Sequence, residues 1–223
     1  RDSSTSRGLG DVYKRQDMER IGDQAEDIAE IITFLGGRGA ENSQLLREMA
    51  RSTIKMVTES VDAYVKHDTA LADQVIAEDD TVDDYFARVK KDLIKRIAQD
   101  PDDGEFALDL LMIAKYFERI GDHASDIAEI IPHLVTVRKE GDPAVSQAIA
   151  MGRKAYQMIQ DAMAALTAED ELAARKVIAA DDAVDFDFNA IKHTLAQEIA
   201  ADPAKVDAAL DLLMVIKYLE RIG

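Results

Sequence analysis

The sequence predicts an all-α fold of tandem three-helix bundles, truncated at both ends. Three observations carry that prediction. Apolar residues recur at helical spacing from residue 17 onward, strand alternation appears nowhere, and one helical unit is written more than once. The string Glu-Arg-Ile-Gly occurs at Glu19–Gly22, Glu118–Gly121 and Glu220–Gly223, with spacings of 99 and 102 residues. Upstream, Ala107 to Met112 recurs letter for letter as Ala209 to Met214.

The elements follow in order. Residues 1–16 cluster Ser, Thr, Gly and Arg without helical spacing, and Asp11 to Gln16 reads like translated adapter sequence; this stretch is expected to be an artefact, disordered and outside the fold. Residues 17–35 read as the C-terminal helix of an incomplete first bundle. A complete bundle is expected over 42–136, as helices at about 42–66, 69–99 and 103–136. Leu46, Ala50, Ile54, Val57, Val61 and Tyr64 form the apolar stripe of its first helix, and Leu71, Val75, Val82, Phe86, Val89, Leu93 and Ile97 that of its second. The third carries Ile113, Phe117, Ile120, Ala124, Ile127, Ile131 and Leu134 at alternating steps of four and three, the seam of a bundled helix. A second bundle, C-terminally truncated, repeats the plan over 143–223, at about 144–167, 170–200 and 203–223. Asp100-Pro101 and Asp202-Pro203 mark the turns before the third helices, with Asp as cap and Pro in the first turn. Because the last copy of the motif stops at Gly223, where the others continue with aspartate, both ends are expected to be cut.

Composition narrows the function. Forty-four acidic against 27 basic residues give a formal charge of −17, which opposes binding to nucleic acid or to anionic membrane surfaces. The chain has no cysteine, so disulfides and thiolate metal sites are excluded. No apolar run approaches the ~20 residues of a membrane span, and the expected location is cytoplasmic. Nucleophile–base constellations, nucleotide-binding glycine loops and zinc spacings are also missing, so the chain is not expected to be an enzyme.

The carboxylates are the candidate chemistry. Glu118, Asp122 and Asp126 stand at i, i+4 and i+8 on one helix, and Asp79 and Asp83 at i, i+4 on another. Like charges so placed destabilise a helix by a few tenths of a kcal/mol, which a hard, oxygen-seeking cation would relieve. Composition alone supplies roughly nine such acidic pairs, usually as solvated faces, so a single pair is weak evidence. Recurrence strengthens it, because Asp181 and Asp185 repeat the helix-B pair and Glu220 begins another copy. Register strengthens it further. If the second and third helices run antiparallel about Asp100-Pro101, residues at equal height have numbers adding to about 201, as Asp83 with Glu118 and Asp79 with Asp122 do. In the next repeat Asp185 with Glu220 obeys the same rule about Asp202-Pro203. The helical wheel turns Asp122 away from the seam, so a cation would sit on the bundle's surface. A ferritin-like iron protein, with inward-facing carboxylates, is the less favoured alternative. Gly121 and Gly22 are read as points of close helix packing, Met112 and Met214 as core fillers, Arg119 as a partner of Asp122 or of another surface, and His123 as a poor ligand because Gln24 replaces it.

Tyr116 to Ala124, followed by Asp126-Ile127-Ala128-Glu129, resembles the third-helix motif of the PhoU family of phosphate-signalling regulators, and Ala72 to Asp83 its second-helix motif. The resemblance implies paired three-helix bundles with surface metal clusters, iron first among the candidate ions, with magnesium, manganese and zinc as alternatives. Its matching pairs here are Glu118/Asp122, Asp79/Asp83, Glu19/Asp23 and Asp181/Asp185, with Glu220 as half of another. Asp27 and Asp126 stand where that family often has Asn. The resemblance further implies a cytoplasmic, homo-oligomeric (dimeric) negative regulator of phosphate uptake and of the phosphate-starvation response, linking a phosphate ABC transporter ATPase to a sensor histidine kinase. The alternative is a metal-binding or assembly module of a phosphate transporter.

Overall fold

The computed structural model describes residues 24–35, 43–138 and 141–223, and these form seven α-helices. They are α1 (Gln24–Phe34), α2 (Gln44–Lys66), α3 (Thr69–Gln99), α4 (Gly104–Val137), α5 (Pro143–Ala168), α6 (Glu171–Ala201) and α7 (Val206–Ile222). Strands are absent among the described residues, as the sequence predicts.

Aspartates start most of the helices. Asp68, Asp142 and Asp170 each accept a backbone N–H two or three residues ahead, satisfying a donor that the helix leaves open. Asp100 and Asp202 do the same, but Pro101–Asp103 and Pro203–Lys205 are tight 3-10 turns, so α4 and α7 begin one to three residues later than the Asp-Pro signal suggests. His67 and Glu169, at equivalent places, adopt a left-handed conformation with φ 54°. Each is followed at once by a capping Asp, which reverses the chain in the fewest residues.

Helices α2, α3 and α4 pack on one another as a first bundle, and α5, α6 and α7 as a second. Helix α4 runs against α7, and α2 against α5. The α4–α7 pair is antiparallel, because His133 meets Asp211 while His123, earlier in the chain, stacks on Tyr218 further along, with ring centres 5.6 Å apart. The α4 seam from Ile113 to Leu134 is fully buried, and the buried residues of both bundles join into one cluster. Helix α1 lies on α6, α5 and α4 and touches α7.

One feature departs from the sequence reading, and for Arg119 one of its two expected placements is not formed. Met112 and Met214 are not core fillers, being 47% and 43% exposed. They share an outer face with Leu108 and Leu210, one turn earlier, while Ile113 and Val215 turn inward beside them. Arg119 has its guanidinium over the Tyr116 ring, 6.0 Å from the centroid, and no ion pair to Asp122 is formed.

The bundles are joined at two tight points. At Gly152 of α5 an added Cβ would come within 3.0 Å of Val61 on α2 and 3.3 Å of Leu219 on α7. At the other end Arg138 is buried, its side chain 5% exposed, and pairs with Asp142 at 2.7 Å and Glu198 at 3.1 Å while donating to the Ala208 carbonyl. It ties the end of α4 to the base of the second bundle. Gly152→Leu is therefore expected to lower unfolding free energy by about 2 kcal/mol through overpacking. Gly104→Ala, whose nearest neighbour would be 3.9 Å away at an ordinary φ of −62°, should instead stabilise by up to about 1 kcal/mol. Urea unfolding of the two variants reads both signs.

Candidate metal centre

The antiparallel rule for α3 and α4 can be checked at several heights. Arg96 reaches Asp103 near the turn, Lys115 sits over the Phe86 ring at 5.2 Å, and the Cβ position of Gly121 is 3.5 Å from Asp79 Oδ1. These contacts put Asp79, Asp83, Glu118 and Asp122 at one level. Asp79 and Glu118 are the inner, partly buried pair; Asp83 and Asp122 are the outer, exposed pair.

Electrostatics shows the same convergence. Asp79 is raised to about 6 by desolvation, then by the charges of Asp83, Asp80, Asp126 and Glu118. Asp122 is likewise raised to about 6 by desolvation and by Glu118, Asp79 and Asp83, with Lys115 opposing. Lys115 is ion-paired to Glu118, so the only cation close to the cluster among these contacts is a side chain of the motif helix itself.

The second bundle builds the equivalent cluster from α6 and α7. Asp181 is raised to about 6 by desolvation, Asp185, Asp182 and Glu220, and its Oδ1 is buried without a hydrogen-bond partner. Lys217 pairs with Glu220 and lies 5.1 Å over Phe188, reproducing Lys115, Glu118 and Phe86. Gly223 stands where Gly121 does, its Cβ position 3.2 Å from Val184.

This cluster has a member that sequence reasoning missed. Glu26 of α1 is raised to about 7 by desolvation, then by Asp181, Glu30, Asp27 and Asp185. The repeat gave no signal for it, since Glu26, four residues after Gly22, aligns with Ser125, four after Gly121 and without a carboxylate. Glu19 and Asp23 lie outside the described residues. Asp27, by contrast, lies beside Tyr116 across the bundles, and Asp126 lies 3.5 Å from His123 Nδ1. Burial lowers the pKa of His123, and its stacking on Tyr218 gives that ring a packing role.

The donor chemistry fits a hard cation: all the candidate ligands are carboxylates, the inner ones partly buried, and Asp181 Oδ1 is buried without a partner. The side chains are nevertheless splayed, and among the described residues no three His, Asp or Glu groups converge tightly enough to hold one ion. Asp79, Asp83, Glu118 and Asp122 could hold an ion in the first cluster, and Asp181, Asp185, Glu220 and Glu26 in the second, by turning carboxylates inward from helices that already stand at the right level.

The raised values fix a pH dependence. Between about pH 4 and 6 the folded protein holds protons on Asp79 and Asp122 that the unfolded chain has released, so stability falls as pH rises through that window. In chelator, Asp79→Asn with Asp122→Asn should therefore flatten the fall in thermal midpoint between pH 5 and 7.5, and should melt above wild type at pH 7.5. An unchanged pH slope in the double variant would show that the two carboxylates do not interact as described.

Comparison with known proteins agrees with the fold and the motif positions. The PhoU domain family model matches residues 46–131 and 149–223. The chain is 34% identical over 186 residues to the phosphate-specific transport system accessory protein PhoU homolog of Clostridium acetobutylicum, covering 82% of this chain and 84% of that one. It is 37% identical over 187 residues to the Aquifex aeolicus homolog, covering 81% and 82%. Among solved structures, PhoU from Pseudomonas aeruginosa superposes with a TM-score of 0.76 at 25% identity, over 80% of this chain and 87% of that one. The PhoU structure from Streptococcus pneumoniae does so with a TM-score of 0.71 at 19% identity, over 80% and 84%. No helix among the described residues is long and apolar enough to cross a membrane. By the motif in its third helices, by the match of both repeats and by the all-helical bundle pair, the chain belongs to the PhoU family.

Proposed function

We propose that this chain is a negative regulator of phosphate uptake and of the phosphate-starvation response, working in the cytoplasm as a homo-oligomeric adaptor between a phosphate ABC transporter and a sensor histidine kinase. It acts as a binding protein and not as an enzyme. Cations held at the two carboxylate clusters set the charge and rigidity of the docking face. The observation that supports this reading best is the repetition of one arrangement: each bundle brings carboxylates of its second and third helices to one level, beside the same Lys, Phe and motif Gly. Iron is the first candidate ion, and magnesium, manganese and zinc are the alternatives, all suited to oxygen donors in different degree.

Repulsion supplies a physical reason for a cation to act as a regulator here. Without one, the clusters hold unfavourable charge at neutral pH; with one, the second and third helices of a bundle are pulled together and the acidic face is neutralised locally. A partner surface would then meet two rather different faces depending on occupancy.

Two measurements test this. Glu118→Gln with Asp122→Asn should remove the cation of the first bundle, read by elemental analysis of purified protein, with the helical circular dichroism unchanged. Retention of that cation would refute the ligand assignment. In a bacterium lacking its own family member, the wild-type chain should restore low phosphate uptake in phosphate-rich medium, and the double variant should not. Failure of the wild-type chain itself would overturn the regulatory reading.

A further inference from the structure

Among the described residues α3 packs only on α2, α4 and the turn that follows it, so its outer side is open. Near that turn the open side changes character. Between Arg88 and Arg96 stand five basic residues and one acidic one, in a chain whose formal charge is −17. Arg88 and Arg96 are held by Asp84 and Asp103, whereas Lys90, Lys91 and Lys95 are exposed and form no ion pair or hydrogen bond among the described residues. Beside them Ile94 is 54% exposed.

Helix α4 turns two more apolar side chains the same way. Ile97 lies 3.9 Å from the Cβ position of Gly104, so α3 and α4 keep their antiparallel register to the turn, and Leu108 stands at the height of Ile94. Around the two axes Ile94 lies about 20° from Asp83 and Leu108 about 40° from Asp122, so both share the side of the bundle that carries the carboxylate cluster, roughly 15–20 Å nearer the turn. Met112 adjoins Leu108 one turn on, and both are exposed. The acids of this end of α4, Glu105 and Asp109, lie beyond Leu108 and Met112 as seen from α3. The result is a narrow apolar strip with unpaired ammonium groups along its α3 edge. The second bundle shows that the fold does not require it. There Leu210 and Met214 are again exposed, but His193, Ala196 and Gln197 replace Lys91, Ile94 and Lys95, and Lys192 lies over the Phe188 ring at 5.7 Å.

We propose that the turn end of the α3–α4 face docks an amphipathic helix of a protein partner, its apolar stripe on Ile94, Leu108 and Met112 and its acidic residues against Lys90, Lys91 and Lys95. The exposed apolar side chains supply affinity, and lysines without partners of their own select the charge and orientation of the incoming helix. A helix covers a strip this narrow. An anionic lipid surface would instead press on Glu105, Asp109 and the carboxylate cluster as well, and be repelled by them. The inference stands apart from the phosphate reading and from any bound cation, since no carboxylate of the cluster contributes to it.

The test uses the full chain in chelator and a fluorescein-labelled helical peptide with leucines at alternating three- and four-residue spacing, flanked by glutamates. Its binding, read by anisotropy, should saturate and be about tenfold tighter than that of a counterpart with lysine for glutamate. Lys91→His with Ile94→Ala and Lys95→Gln gives α3 the residues that the second bundle already carries, and should weaken the glutamate peptide about tenfold with the helical circular dichroism unchanged. Lys91→Gln with Lys95→Gln, which alters no apolar residue, should show part of the same loss. No saturable binding, equal binding of the two peptides, or undiminished binding by these variants would overturn the proposal. So would binding of phosphatidylglycerol vesicles that the triple variant abolishes, which would make the face a lipid contact.

Discussion

At Gly121, α4 presents only hydrogen to α3, and a Cβ there would sit 3.4 Å from Val82 and 3.5 Å from Asp79 Oδ1. The two helices are in direct contact at the very height where each carries its acidic pair. A Cβ here would make ordinary van der Waals contacts, while helix-forming preference argues against glycine by about 1 kcal/mol. The contact at Gly223 is tighter, its Cβ position being 3.2 Å from Val184. The carboxylate clusters, the Lys–Glu pairs beside them and the raised proton affinities all depend on that approach, because a wider helix pair would let the charges separate into water.

Each bundle completes its neighbour through the third helices. Tyr116 of α4 lies beside Asp27 of α1, and Tyr218 of α7 stacks on His123 of α4, so equivalent tyrosines of the two copies reach across the interface in opposite directions. Desolvation raises both tyrosines, which keeps their hydroxyls protonated and able to donate. Arg138 anchors the base of the assembly between Asp142 and Glu198, an arrangement whose loss would strand two partly buried carboxylates. The interface thus turns a strongly acidic chain into one continuous apolar core with its charge on the outside.

Much of this was legible in the sequence because it is periodic. The seam from Ile113 to Leu134 announces its helix, the Asp-Pro turns locate the reversals, and from those two facts the shared level of Asp79 and Asp122 follows by counting. Other features depend on distances that counting does not reach. Arg138 looks like any basic residue near a helix end until Glu198 and Ala208 fold back onto it. Met112 and Met214 look like core residues by type, and only the orientation of Ile113 and Val215 beside them shows otherwise. Glu26 joins Asp181 from the far end of the chain, and although the repeated Gly-Asp-x-Ala string aligns Glu26 with Ser125, nothing local says that α1 would meet α7.

The central claim is that helices brought together at the motif glycines create paired carboxylate sites for a hard cation. Anomalous X-ray diffraction from crystals grown with manganese tests it most directly, because the peaks report position independently of any change in stability or activity. The account predicts one peak bounded by Asp79, Asp83, Glu118 and Asp122, and an equivalent one bounded by Asp181, Asp185, Glu220 and Glu26. Manganese at neither cluster under saturating metal, or bound only at the histidines, would contradict it.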